Sequence, residues 1–242
     1  MNVNDAIAGY LKFTGNKEIN ISTALVDMDG VLYDSMKNHT RAWVKLMKKN
    51  GIKCTRDEFY LYEGMTGEAI IQMKFKEGAG KNITHDEATA LYKVKGRYFQ
   101  ELGEAEIMPG TLDVLKGLKA AGVRCVLVTG SGQQSLLDKI DADYEGIFDA
   151  RVTSKDVRHG KPNPEPYLKG IAIAEARANQ CIVIENAPLG VQAGHAAGCF
   201  TIGVTTGPIT EKELYRAGAD LVFPNMEAFA KALPELLAAL KR

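Results

Sequence analysis

The sequence predicts an α/β protein: a Rossmann-like, doubly wound parallel sheet with an all-helical insertion. Three observations carry that expectation. From residue 105 onward, short apolar runs such as Arg124–Thr129 and Cys181–Glu185 alternate with stretches of helical spacing. Buried strands alternating with helices make a parallel sheet covered on both faces. Between residues 36 and 104 the strand-like runs disappear and only helical spacing is left. Finally, the first apolar run, Leu25-Val26, ends in Asp27-Met28-Asp29-Gly30, with a third carboxylate at Asp34. Open α/β sheets hold their ligands at the carboxyl ends of strands. Carboxylates crowded there repel one another unless a hard cation such as Mg²⁺ lies between them. The organisation expected is an N-terminal extension over 1–20, an α/β core over 21–35 and 105–242, and a helical unit over 36–104.

The elements follow in order. Residues 6–13 read as a short amphipathic helix with Ile7, Tyr10 and Leu11 on one side. Thr23–Met28 reads as the opening strand. In the insertion, Trp43, Leu46 and Met47 recur at helical spacing. Thr55 with Glu58 and Thr84 with Glu87 have capping-box spacing. The second pair opens a long helix expected to turn Leu91, Val94, Tyr98 and Leu102 inward. Pro109-Gly110 begins the alternating part, with Leu112, Leu115 and Leu118 on a helix that stops at Gly122. Strands are expected over 124–129, 148–153, 181–185, 200–205 and 221–223. Helices are expected over 133–140, 164–176, 188–197, 211–217 and 226–240.

Bulk composition narrows the function. The chain has 242 residues, with 30 basic and 30 acidic side chains. A formal charge of zero gives no electrostatic case for nucleic acid or an anionic membrane as partner. The four cysteines, Cys54, Cys125, Cys181 and Cys199, form no CxxC pair, which argues against zinc. Scattered core cysteines suit a reducing compartment. No stretch approaches the roughly 18 apolar residues of a membrane span, and residues 1–20 lack the pattern of a secretory signal. A cytoplasmic protein is expected, and a monomer suffices for a two-part enzyme with a moving lid.

Each later strand also ends in chemistry-bearing residues. Thr129-Gly130-Ser131-Gly132 offers a hydroxyl and free backbone N–H groups to an anion. Lys161 stands in the proline-stiffened loop Lys161-Pro162-Asn163-Pro164. The fourth strand ends in Glu185-Asn186. In the order Asp-x-Asp, Thr, Lys, Glu-Asn, these tips resemble the motifs of haloacid-dehalogenase-superfamily (HAD) phosphotransferases, specifically the β-phosphoglucomutase-like subgroup with a helical cap. The resemblance covers about residues 22–225, including Gly190-Val191-Gln192-Ala193-Gly194 after the fourth motif.

That resemblance implies a mechanism. Asp27 is the expected nucleophile, forming an aspartyl phosphate that water then hydrolyses. Asp29 is the expected general acid and base. Mg²⁺ is expected on the Asp27 carboxylate, the Asp29 backbone carbonyl and the fourth motif, Glu185 and Asn186. Thr129, Gly130, Ser131, Lys161 and Asn163 are the expected phosphate-binding residues.

Two departures bear on the substrate. The subgroup usually has Glu-Asp where this chain has Glu185-Asn186, so one negative charge at the metal is lost. In the cap, His39-Thr40-Arg41-Ala42-Trp43 resembles the mutase. The mutase's Lys-Gly-x-Ser-Arg loop, however, is replaced by Glu63-Gly64-Met65-Thr66-Gly67. Losing two cations and gaining an anion disfavours a second phosphate dianion. If Glu63 reaches the metal and replaces the missing charge, the pair resembles the inorganic-pyrophosphatase branch. The expected function is therefore Mg²⁺-dependent hydrolysis of a small phosphorylated substrate, with pyrophosphate favoured. The alternatives are β-phosphoglucomutase or a small sugar-phosphate phosphatase and, remotely, a non-catalytic phosphate-binding protein. Lys93, Lys95 and Arg97 are candidate cations for the leaving phosphate, and His39 for handling a proton or for the hinge.

Overall fold

The computed structural model describes residues 2–131 and 134–240. The expected helix start at Gln133, and Gly132 of the second motif, lie outside the described residues. In chain order the elements are α1 (Val3–Thr14), β1 (Thr23–Val26), α2 (Met36–Lys49), α3 (Arg56–Leu61), α4 (Gly67–Ala79), α5 (His85–Gln100) and α6 (Thr111–Ala120). They continue with β2 (Arg124–Val128), α7 (Gln134–Asp143), β3 (Ala150–Val152), α8 (Glu165–Ile173), β4 (Cys181–Glu185) and α9 (Pro188–Ala196). The last are β5 (Phe200–Val204), α10 (Glu211–Ala217), β6 (Leu221–Phe223) and α11 (Met226–Ala239).

The six strands form one parallel sheet in the order β3-β2-β1-β4-β5-β6. Strand order reverses at β1, where doubly wound sheets open a ligand crevice. β1 and β4 are buried at every position because helices cover both faces. One apolar cluster joins Val26, Leu127, Ile184 and Phe200 to α6 and α11. A second, on the opposite face, joins Leu25, Val126 and Val183 to Tyr167 and Ile171 of α8. All four cysteines are free thiols. No described helix is long and apolar enough to cross a membrane.

Helices α2–α5 gather around their own cluster, with Trp43, Phe59, Ile71 and Phe75 at its centre. The capping boxes at Thr55/Glu58 and Thr84/Glu87 open α3 and α5. The inward face of α5 differs from the expected one. Leu91, Val94 and Tyr98 are only partly buried, whereas Ala88, Lys95 and Phe99 are buried. Leu102, expected inward, lies past the helix end and is 40% exposed. An ammonium is tolerated inside because aromatic rings and a histidine surround it.

β1 is two residues shorter than expected, so Asp27 falls just past its tip, held by its amide on the Ile184 carbonyl (3.1 Å). A tight loop follows, with the Leu32 amide on the Met28 carbonyl (2.8 Å) and Gly30 at φ +78°. Glycine is required at position 30. Besides the left-handed backbone, a Cβ there would lie 2.0 Å from the Asn186 side-chain nitrogen.

Candidate active site

The strand tips converge. Lys161, buried under the loop after β3, donates from Nζ to Asp27 Oδ1 (2.5 Å), Glu185 Oε1 (2.6 Å) and the Val128 carbonyl (3.2 Å). The Tyr167 hydroxyl on α8 also donates to Glu185 Oε1 (2.8 Å), and its ring lies under the Lys161 ammonium. Glu185 Oε2 accepts from the amides of Asn186 (3.0 Å) and Ala187 (3.2 Å). Both oxygens of Glu185, expected on the metal, are thus engaged, Oε1 by Lys161 and Tyr167 and Oε2 by two backbone amides. Gly190 makes room for it, since a Cβ there would sit 1.7 Å from Glu185 Oε1.

Asp29 has a different setting. Its Oδ1 accepts from the Ser35 hydroxyl (2.5 Å) and lies 3.0 Å from His39 Nε2. His39 Nδ1 contacts the Lys95 ammonium, and the His39 ring stacks on Phe99 (4.1 Å). Lys95 also faces the rings of Trp43 (5.0 Å) and Tyr92 (5.8 Å). Burial by itself would raise Asp29. The attraction of His39, with hydrogen bonds from His39 and Ser35, instead brings it down to about 2. Burial lowers Lys95 to about 7. Burial, then the charge of Lys95, lowers His39.

Asp27 is pushed up by burial, against the pull of Lys161 and with the help of Glu185 and Asp29. Lys161 is held well above its ordinary value, because its two carboxylates outweigh its desolvation.

Glu63 lies in the same crevice. It is buried, and its Oε1 accepts from Asn186 Nδ2 (3.0 Å). Burial raises its carboxyl well above the usual range, and the charge of Asp27 adds to this. The following segment rests on the core. Gly64 lies against the Lys161 side chain, and Gly130 against the carbonyls of Gly64 and Met65. Asp27, Asp29, His39, Glu63, Lys95, Gly130 and Ser131 all line a crevice of about 60 Å³. Thr129 is buried behind it, with its hydroxyl accepting from the Ser131 amide (3.0 Å).

Not every expected residue joins them. Asn163 is exposed and accepts from the Glu165 amide (2.9 Å) at the start of α8. Asp34 turns outward into a surface ion pair with Lys37 (2.6 Å). Lys93 and Arg97 face solvent. Conversely, Ser35 and Tyr167 were missed. Ser35 reads as the cap of α2, but its hydroxyl goes to Asp29 and makes no capping bond. Tyr167 carries no signal beyond that of a core aromatic.

Whether Mg²⁺ fits can be judged from the donors. Asn186 Oδ1 is buried and has no hydrogen-bond partner among the described residues, a costly vacancy unless something electrophilic meets it. The same side chain bonds Glu63 (3.0 Å), whose charge is opposed by Asp27, Asp29 and Glu185, and a cation would relieve that opposition. No trio of His, Cys, Asp or Glu side chains gathers as a metal cluster among the described residues. The donors here are instead carboxylates and an amide oxygen, the oxygen set of a hard cation. The residues fit.

Residues 21–198 match the sequence profile of the haloacid dehalogenase-like hydrolases. Hexitol phosphatase A of Escherichia coli is 29% identical over 84% of this chain and 90% of its own. Beta-phosphoglucomutase of Bacillus subtilis is 28% identical over 84% and 88%. A solved structure from Bacteroides vulgatus, provisionally described as a beta-phosphoglucomutase, superposes with a TM-score of 0.94. It is 44% identical and covers 99% of this chain and 98% of that one. The chain belongs to the haloacid dehalogenase-like hydrolase family, an enzyme family.

Proposed function

We propose that the protein is a Mg²⁺-dependent phosphohydrolase that carries the phosphoryl group on Asp27 and takes inorganic pyrophosphate as substrate. One observation carries the reading: Glu63, standing where the mutase loop has a cation, is buried in the crevice and bonded to Asn186. The two departures from the mutase pattern therefore meet in space. Together they put an anion where a sugar phosphate's second phosphate would need a cation.

The crevice is also small. About 60 Å³ of free space holds several waters or a small anion. The Tyr92 ring closes it on one side, lying where a Cβ at Gly67 would be 2.1 Å away. Helices α2–α5 act as a lid in this reading, a cap unit over 36–104 on the core.

In the reaction, Lys161 and the Gly130 amide hold the transferring phosphoryl group while Asp27 attacks phosphorus and the leaving phosphate departs. Lys95, lining the crevice, meets that leaving group. Among the described residues Asp29 is bound through Oδ1, so Oδ2 can give a proton to the leaving oxygen and then take one from the attacking water. Its resting carboxylate suits the second step, and an arriving phosphate anion raises its affinity for a proton for the first. His39, which meets Asp29 Oδ1 through Nε2 and Lys95 through Nδ1, fixes the orientation of Asp29. Mg²⁺, held by the Asp27 carboxylate, the Asp29 carbonyl, Asn186 Oδ1 and Glu63, would neutralise charge developing on the phosphoryl oxygens.

A second reading, a sugar-phosphate phosphatase or β-phosphoglucomutase, is favoured by the names of the relatives, among them a hexitol phosphatase and a phosphoglucomutase. The test is a panel with Mg²⁺ containing pyrophosphate, β-glucose 1-phosphate and a hexitol phosphate. The proposal expects the highest kcat/KM for pyrophosphate. A higher value for either carbohydrate transfers the assignment to the second reading.

A further inference from the structure

The crevice does not by itself attract a phosphate. Asp27, Asp29, Glu63 and Glu185 bring four formal negative charges, and Lys161 and Lys95 bring two positive ones. A divalent cation takes the total only to neutrality. Positive charge that draws an anion from solution has to lie outside.

Such charge lies along the seam between α4, α5 and the loop after β3. A groove of about 590 Å³ runs there, walled by Thr66, Gln72 and His85 on the helical side and by Lys155 and Arg158 on the core side. Lys155 and Arg158 are exposed, and neither has an ion-pair partner among the described residues. The acid of the groove, Glu68, is engaged by His85 (3.0 Å) and the Thr89 hydroxyl (2.7 Å). The groove and the catalytic crevice share Gly67 and Tyr92 as a wall. An anion resting on Lys155 and Arg158 is therefore separated from the reacting groups by one aromatic side chain.

We propose that this groove is the docking station for the incoming anion: Lys155 and Arg158 capture the phosphate-bearing substrate and hand it past Tyr92 into the crevice. The inference rests on the phosphohydrolase reading and adds a route and two affinity-determining residues to it. Clefts lined by one sign of charge raise the local concentration of counter-charged ligands, and salt weakens the effect.

The test compares wild type with the Lys155→Glu/Arg158→Glu double variant. Lys12→Glu serves as control, because α1 lies at the amino ends of the strands, where the Tyr10 hydroxyl meets the Gly198 carbonyl (2.9 Å). With pyrophosphate and Mg²⁺ at low ionic strength, the double variant is expected to lose about tenfold in kcat/KM at unchanged kcat. The gap should narrow as sodium chloride is added. Both side chains are exposed, so the melting temperature should hold. An unchanged kcat/KM with wild-type salt dependence overturns the inference, as does an equal loss in Lys12→Glu or a loss confined to kcat. In each of those cases wild-type turnover remains and the phosphohydrolase reading survives. Wild type that releases phosphate from no substrate overturns that reading and this inference with it.

Discussion

Lys95 shows how a single residue can be costly to the fold and useful to the site. Its ammonium is buried among Trp43, Tyr92 and Phe99, and its folded pKa of about 7 lies below the unfolded value of 10.5. The folded state thus binds this proton more weakly than the unfolded state does. The penalty is full below pH 7 and fades as pH rises toward 10.5. Lys95→Met is therefore expected to stabilise the protein by roughly 1–3 kcal/mol at pH 6. The gain should shrink toward pH 10 in denaturant titrations, while phosphate release falls. Asp27→Asn should act on activity alone. Removing the nucleophile lowers phosphate release by roughly 10⁴-fold or more, and it relieves repulsion from Glu185 and Asp29, so circular dichroism should show an intact fold. At this scale the reading from sequence singled out Asp27, Asp29 and Thr129, which follow apolar runs, and Lys161, whose loop two prolines stiffen. It missed Ser35 and Tyr167, because a cap serine and a core tyrosine look the same whether or not a carboxylate waits beside them. It put Glu185 on the metal, since spacing alone does not show that Lys161 and Tyr167 already occupy its Oε1.

Elements were legible where local chemistry decides them. Thr84 and Glu87 announced the start of α5, and Thr84→Ala should cost about 1 kcal/mol in chemical denaturation, as for other lost caps. Gly190 in the first turn of α9 is a different case, because its requirement is tertiary. A methyl there collides with Glu185. Gly190→Ala should therefore cost about 2–4 kcal/mol through overpacking and displacement of a buried ion pair, with activity lost alongside. The inward face of α5 was misread for a related reason. Periodicity favours Leu91, Val94 and Tyr98, and it cannot register that His39 from α2 and a box of aromatic rings accept Lys95 inside.

At the scale of the molecule, alternation of strand and helix indicated a parallel sheet, but the order β3-β2-β1-β4-β5-β6 depends on crossovers that no local pattern encodes. The meeting of Glu63 with Asn186 joins residues far apart in the chain. It could be anticipated only by reading two departures as one change in charge. If they share a cation, Mg²⁺ at a hundred times its Kd should add about 2.7 kcal/mol to the unfolding free energy. Glu63→Gln should require about tenfold more Mg²⁺ for the same rise in Tm. An identical Mg²⁺ titration in the variant would detach Glu63 from the metal and weaken the case for pyrophosphate. The central claim, that Asp27 carries a phosphoryl group taken from pyrophosphate, is tested most directly by acid-quenching the enzyme in mid-turnover with Mg²⁺ and pyrophosphate and reading the peptide containing Asp27 by mass spectrometry. That peptide is expected one phosphoryl group heavier, with the modification on Asp27. Continuous phosphate release with the peptide unmodified at every quench time would contradict it.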